Sequence, residues 1–129
     1  MIYLLLDTST PICRATVVKD GNRSDYEWQA DRNLAHGLLE YLTKILKEHD
    51  ADLSSLSGMG VLRGPGSFTG LRIGLTIVNT IADSQNIPIV GVDGDDWQNV
   101  ALNQLNKGQN DKIVLPLYGR EARITNPRK

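Results

Sequence analysis

The chain has 129 residues, of which 40% are hydrophobic and 22% charged, with a formal net charge of −1. This length fits one domain whose core needs no disulfide or metal, and the single cysteine, Cys13, excludes an internal disulfide. The low net charge argues against broad electrostatic capture of nucleic acid or anionic lipid. Residues 112–129 contain five basic residues and one acidic residue, so their net charge is +4 and that of residues 1–111 is −5. We expect this basic end to be solvated, with RNA contact as the alternative.

The N-terminal segment does not resemble a signal peptide. Its apolar run, residues 2–6, ends at Asp7 and has no basic residue before it. No stretch approaches the ~20 apolar residues that span a bilayer. We therefore expect a cytoplasmic protein without membrane contact, and we expect Cys13, inside an apolar strand, to be a buried and unreactive thiol.

The predicted elements begin with three strands: residues 2–6, then 13–19 and 23–29 joined by the hairpin signal Asp20-Gly21. A helix over 34–49, a strand over 57–62 and a second helix from Thr69 to about residue 85 follow. The last elements are a strand over 87–92, a helix over 93–106 and a strand over 113–118, with which residues 121–125 pair. This order predicts an α/β fold of the ribonuclease H-like, actin-like type, with a mixed five- to six-stranded sheet, an antiparallel hairpin edge and helices packed on it.

The second predicted helix is apolar on two sides. Leu71, Leu75, Val78 and Ala82 form one stripe, and Ile73, Ile77 and Ile81 form another. The sheet covers one of these sides, so the other packs either on the first helix or on another chain. We favour the intermolecular interface, and Gly70 and Gly74 would allow close approach of a facing backbone.

A glycine-rich segment precedes this helix. It lacks the Gly-Lys-Ser/Thr of a Walker A loop and the GxGxxG spacing, so a rigid turn is favoured, with a backbone anion site as the alternative. Ser67 or Thr69 is the expected N-cap. The loop residues are Arg63, Gly64, Pro65, Gly66, Ser67, Phe68, Thr69, Gly70 and Arg72.

The end of the first strand carries the other candidate site, Asp7, Thr8, Ser9 and Thr10. In a phosphotransferase of actin-like fold, an acid and hydroxyls at this place would meet magnesium and phosphate. Asp7 stands alone on the core strands, whereas such a site needs several carboxylates. The two histidines do not form a zinc motif, and residues 93–104 lack the glycine and glutamate of a calcium loop. The sequence predicts no metal site and no catalytic set, only a vestigial phosphate site.

The stretch RGPGSFTGLRIG at residues 63–74 closely resembles the TsaB (YeaZ-like) family. Asp7-Thr8-Ser9-Thr10, His36 with Leu38-Leu39, and residues 87–92 are similar to other family segments. The resemblance covers residues 1–92 and, more weakly, the end. It implies an actin-like ATPase fold that has lost phosphotransfer chemistry. It also implies pairing with the catalytic relative TsaD, which transfers threonylcarbamoyl from an adenylate to the adenosine beside the anticodon of tRNA.

The resemblance further implies a non-catalytic subunit with no cofactor of its own, and ATP or ADP only at the level of the complex. A TsaE-type ATPase joins that complex, and tRNA contact would be at most indirect. In the absence of a TsaD-type subunit, we expect the chain to form a homodimer that exchanges for the heterodimer. The resemblance implies that the pairing face of the two helices consists of Leu38, Leu42, Leu71, Gly74, Leu75 and Val78.

Family members continue into a second half-domain. We therefore assign residues 1–111 to an actin-like N-terminal-type domain, and 112–129 to a terminal strand or hairpin and basic tail, the remnant of that half. A naturally short form and a truncated chain both fit this ending. The competing hypothesis is a nucleotide-binding, sugar-kinase-type half-domain with its own phosphate site at Asp7, Thr8, Ser9 and Thr10.

Overall fold

Five strands form one mixed sheet in the order β3-β2-β1-β4-β5. The structure, a computed structural model, describes residues 1–117. Strands β1 (Ile2–Asp7), β2 (Ile12–Lys19) and β3 (Asn22–Gln29) are antiparallel neighbours, whereas β4 (Gly58–Leu62) and β5 (Ile89–Val92) run parallel to β1. The predicted α/β class and the hairpin at one edge are confirmed.

Three helices cover the sheet, two on one face and one on the other. Helices α1 (Leu34–Lys47) and α2 (Phe68–Gln85) pack on the face that carries Leu4 and Leu6 of β1. Helix α3 (Trp97–Asn106) packs on the opposite face, which carries Tyr3 and Leu5. Alternate β1 residues thus enter two cores, as the period of two in a strand requires, and this explains why β1 reads as a continuous apolar run. None of these helices is long and apolar enough to cross a membrane.

The turns follow the local sequence signals. Asp20 and Gly21 both have positive φ, 52° and 86°, as the two-residue hairpin turn between right-twisted strands requires. Helix α2 begins at Ser67, whose hydroxyl accepts from the Gly70 N–H at 3.3 Å. It ends at Asn86, which is left-handed at φ 55°. Of the two expected N-caps, Ser67 is the observed one.

Residues 109–117, here named the C-terminal strap, cross the edge of β5 and reach α2. The Asp111 N–H donates to the Ile89 carbonyl at 2.8 Å, and the Leu117 N–H donates to the Arg63 carbonyl at 2.7 Å. The predicted strand at 113–118 is wrong for residues 113–117, which form no ladder. Side chains of the strap itself bind the N–H groups of β5, so no free edge is left there for a sixth strand. Residue 118 and the predicted pairing segment 121–125 lie outside the described residues.

Candidate functional site

A groove of about 480 Å³ lies on the outer surface where α1 meets α2. One residue of α1 and five of α2 line it, and this set is called the helix groove: Ala35, Thr69, Arg72, Ile73, Thr76 and Ile77. Two exposed apolar side chains lie on the same helices, one turn from lining residues: Leu39, four residues after Ala35, is 50% exposed, and Phe68, four residues before Arg72, is 54% exposed. Exposed apolar residues gathered beside a groove are typical of a protein-docking surface.

The apolar residues predicted to contact a partner do not line this groove. Those on α1 and α2 are at most 2% exposed and belong to the chain's own core: Leu38, Leu42, Leu71, Leu75 and Val78. Gly74, also predicted for the interface, is buried and faces Thr8, the residue that follows β1. These six residues therefore offer little side-chain surface in the described chain, and their place in a partner interface stays a prediction.

Helix α2 carries two apolar stripes, as the sequence indicates. Leu75 and Val78 of one stripe pack in the core shared by the sheet and α1, and Leu71 of the same stripe is fully buried beside Gly64; inward packing was the alternative considered from the sequence. The stripe with Ile73 and Ile77 is the one that borders the surface, and both residues are only partly buried. Leu39, which is half exposed on α1, was not among the residues predicted for the interface, although its position outside the main stripe of α1 was the available signal.

The glycine-rich loop is packed against the end of β1. Thr8 is fully buried and donates from Oγ1 to the Gly70 carbonyl at 2.9 Å, while the Ser67 N–H donates to the Ser9 carbonyl at 2.8 Å. A Cβ at Gly66 would lie 2.7 Å from the Ser9 carbonyl oxygen, and a Cβ at Gly74 would lie 2.7 Å from Thr8 Cγ2. A Cβ at Gly70 would overlap the Thr8 carbonyl. The three glycines are therefore required by close packing, because Cβ atoms do not approach other heavy atoms so closely.

This packing decides whether the phosphate of a nucleotide, which the actin-like fold implies, fits at the end of β1. The Asp7 carboxylate already accepts from the Ser9 N–H at 2.8 Å and from Ser9 Oγ at 2.6 Å. Thr8 is enclosed by α2, and Thr10 Oγ1 is bonded locally to the Ile12 backbone. The groups that would meet a phosphate thus bind one another and the first turn of α2, and a phosphate does not fit between them. The structure brings residues 7–10 and the glycine-rich loop together, but they pack against each other and leave no binding site between them.

The remaining loop residues surround this contact, and all of them except the buried Gly64 lie at the surface. Arg63 forms an exposed ion pair with Asp93 at 3.2 Å. Gly64 has φ of +128°, a conformation that favours glycine, and it lies against the Leu117 backbone. The Arg72 guanidinium lies 5.1 Å from the centre of the Phe68 ring. Pro65 and Phe68 are exposed, so neither fills the core.

The titratable groups of the core do not form a reactive set. Cys13 is buried, as expected, and burial raises the pKa of its thiol to about 12. Burial also raises the pKa of Tyr41, on α1, to about 12. Neither group ionises near neutral pH, so neither supplies a nucleophile or a base. Within residues 1–117, no three His, Cys, Asp or Glu side chains are placed to hold a metal ion.

Comparison with known proteins assigns the family. Residues 28–122 match the family model described as TsaD: tRNA N6-adenosine threonylcarbamoyltransferase. Proteins named tRNA threonylcarbamoyladenosine biosynthesis protein TsaB are 32% identical over 92 residues in Escherichia coli and 33% identical over 93 residues in Bacillus subtilis, each covering 71% of the chain. The chain belongs to the TsaD family, in its TsaB (YeaZ-like) group. A solved structure from Pseudomonas aeruginosa, described as similar to peptidase YEAZ, superposes on 71% of this TsaB-like chain with a TM-score of 0.67 and 32% identity.

These relatives are longer than the TsaB-like chain. It spans 40% of the E. coli protein, 41% of the B. subtilis protein and 43% of the P. aeruginosa chain. Residues 28–122, which match the family model, contain both helices that form the groove and the glycine-rich loop. The family resemblance predicted from residues 63–74 is therefore confirmed over most of the chain, together with the actin-like fold.

Proposed function

We propose that the chain is a non-catalytic partner subunit of the system that makes threonylcarbamoyladenosine in tRNA, and that it pairs with a TsaD-type catalytic subunit through the helix groove. The relatives' names supply the pathway. The observation that carries the pairing is the groove between α1 and α2, with partly buried Ile73 and Ile77 on its floor and exposed Leu39 beside it. No group described above would perform the transfer itself.

The fold supports a partner of related structure. Because the chain matches the TsaD family model over residues 28–122, a TsaD-type subunit would present a similar pair of helices. Two such faces can pack as four helices around an approximate twofold axis. The same geometry accounts for the proposed homodimer of the chain alone, which would use the same surface and give way to the heterodimer.

The charge of the groove indicates what the partner carries. Arg72 lines the groove, and no ion pair within residues 1–117 involves it. Arg32 lies in an adjoining pocket that shares Thr69 and Ile73 with the groove. The partner surface that fits this groove would be apolar at its centre and would carry a carboxylate opposite Arg72. A guanidinium pairs with a carboxylate through two parallel hydrogen bonds.

Further features of the proposed complex rest on the family. Cytoplasmic location, a TsaE-type ATPase as an additional member, and tRNA held mainly by the catalytic subunit are parts of this proposal. We also propose that the isolated chain binds no nucleotide, because α2 fills the place of a phosphate, and that ATP or ADP enters only with the complex.

Size-exclusion chromatography with light scattering tests the pairing, on the chain alone and mixed with the TsaD-type subunit of its own organism. Thr76→Arg puts a long cation into the groove from an exposed position and should weaken the heterodimer at least about tenfold, which is ~1.4 kcal/mol. Asn103→Arg, at an exposed site on α3 across the sheet, is the matched control and should bind as wild type. A wild-type chain indifferent to the partner, or equal binding by both variants, would contradict the proposal.

The nucleotide-binding alternative has its own test. Calorimetry with ATP and magnesium should show no binding to the isolated chain. Micromolar binding that is lost in Asp7→Asn would instead favour a half-domain with a phosphate site at the end of β1.

A further inference from the structure

Thr8 lies in a notch on the inner side of α2. The notch exists because Gly70 and Gly74, one turn apart, have no side chains there, and Thr8 occupies the space with no exposed surface. Its hydroxyl donates to the Gly70 carbonyl at 2.9 Å. This notch with Thr8 in it is called the Thr8 seat. Thr8 is held there both by close packing and by a hydrogen bond.

The notch that holds Thr8 is formed by the same two turns of α2 that contribute lining residues to the helix groove. Thr69, Arg72 and Ile73, which line the groove, alternate along the same two turns with Gly70 and Gly74. Any displacement of these turns away from β1 therefore moves the groove-lining residues with it. Ser67, the N-cap of α2, is attached to the residue after Thr8, because its N–H donates to the Ser9 carbonyl.

We infer that Thr8 is a positioning residue, which sets the distance of the first two turns of α2 from the sheet and so the shape of the partner-binding groove. This inference rests on the proposed function for its effect on binding. Thr8 itself is buried and would not touch the partner. The physical basis is that a closely packed notch admits one helix position, whereas an added methyl group forces the helix or the threonine to move.

The test is a substitution and its suppressor. In Gly74→Ala the new Cβ would lie 2.7 Å from Thr8 Cγ2, so the first turns of α2 must move outward. Affinity for the TsaD-type subunit should fall about tenfold, since a binding surface that must rearrange binds more weakly. Thr8→Ala in the same chain removes Oγ1 and Cγ2, the two atoms nearest to the new Cβ, and leaves the Thr8 Cβ at 2.9 Å. Thr8→Ala/Gly74→Ala should therefore recover a measurable part of the affinity.

Two further measurements separate positioning from loss of stability. Val90→Ala, in the core on the α3 side, lowers the midpoint of thermal unfolding without touching the seat, and its affinity should stay within about twofold of wild type. Amide hydrogen exchange in residues 70–78, measured without partner, should accelerate in Gly74→Ala and return towards the wild-type rate in the double variant.

Failure of this inference is distinguishable from failure of the proposed function. If the wild-type chain does not bind the partner, the proposed function is wrong, and the exchange rates alone decide whether Thr8 positions α2. Wild-type exchange in Gly74→Ala, or a double variant no better than the single one, would overturn the inference. So would an affinity loss in Val90→Ala equal to that in Gly74→Ala.

Discussion

Asn79 is the residue of α2 through which the C-terminal strap is attached, and its removal gives a measurable change. Its side-chain amide donates to the Val114 carbonyl at 2.9 Å and its oxygen accepts from the Val114 N–H at 2.9 Å. Both bonds are partly buried, and Val114 is only 4% exposed. Two such bonds contribute about 1–3 kcal/mol together. Alanine is the better helix former by about 0.5 kcal/mol, which offsets part of the loss.

We therefore expect Asn79→Ala to lower the free energy of unfolding by about 1.5 kcal/mol, measured by urea denaturation with tryptophan fluorescence. Amide exchange of residues 113–117 should accelerate by more than the global change, because the strap can detach by itself. Asn103→Ala, at an exposed asparagine of α3, is the control and should stay within about 0.5 kcal/mol of wild type. A change in Asn79→Ala as small as the control, with unaltered exchange in the strap, would refute this account of how the strap is held.

Two other predictions follow from the ionisable groups. Because burial raises the pKa of Cys13 to about 12, its thiol should not react with a disulfide reagent at pH 8 until the chain is unfolded in urea; stoichiometric labelling of the folded chain would contradict this. Hydrogen bonds from the Ser54 and Ser55 hydroxyls lower the pKa of Asp52, so its contribution to stability is present above the unfolded-state pKa and is lost as the pH falls through the lowered value. Asp52→Asn should therefore be less stable than wild type near neutral pH, with the difference vanishing in acid; a difference that does not change with pH would refute the assignment.

The fold was predictable because most local signals agree with it. The Asp20-Gly21 turn fixes the hairpin, and the continuous apolar run of β1 requires covering layers on both faces. The family stretch at residues 63–74 also led to the correct family. Element boundaries differ by up to four residues: α1 ends at Lys47 where residue 49 was predicted, and α3 begins at Trp97 where residue 93 was predicted.

The surface of the site was less predictable, for a physical reason that Val78 and Ile77 illustrate. Both are apolar and adjacent on a helix with two apolar stripes, yet Val78 is fully buried and Ile77 borders the groove. Periodicity reports that a stripe exists, but the direction it faces depends on where the sheet lies. The joint between Thr8 and the glycines was equally hidden, since 62 residues separate Thr8 from Gly70. A glycine spacing shows that something approaches closely but does not show what.

The strap at the edge of β5 has a consequence for aggregation. The Ile89 and Gly91 N–H groups, which would otherwise be open to a foreign strand, donate to the side chains of Asn110 and Asp111 at 3.1 and 2.9 Å. At the opposite edge, β3 carries Arg23, Asp25 and Glu27 on its exposed positions, so an incoming strand would meet mixed charges. Edges closed by side chains or lined with charge do not template further strands. At high concentration, both of these sheet edges therefore disfavour the strand-to-strand contacts from which irreversible growth of a sheet begins.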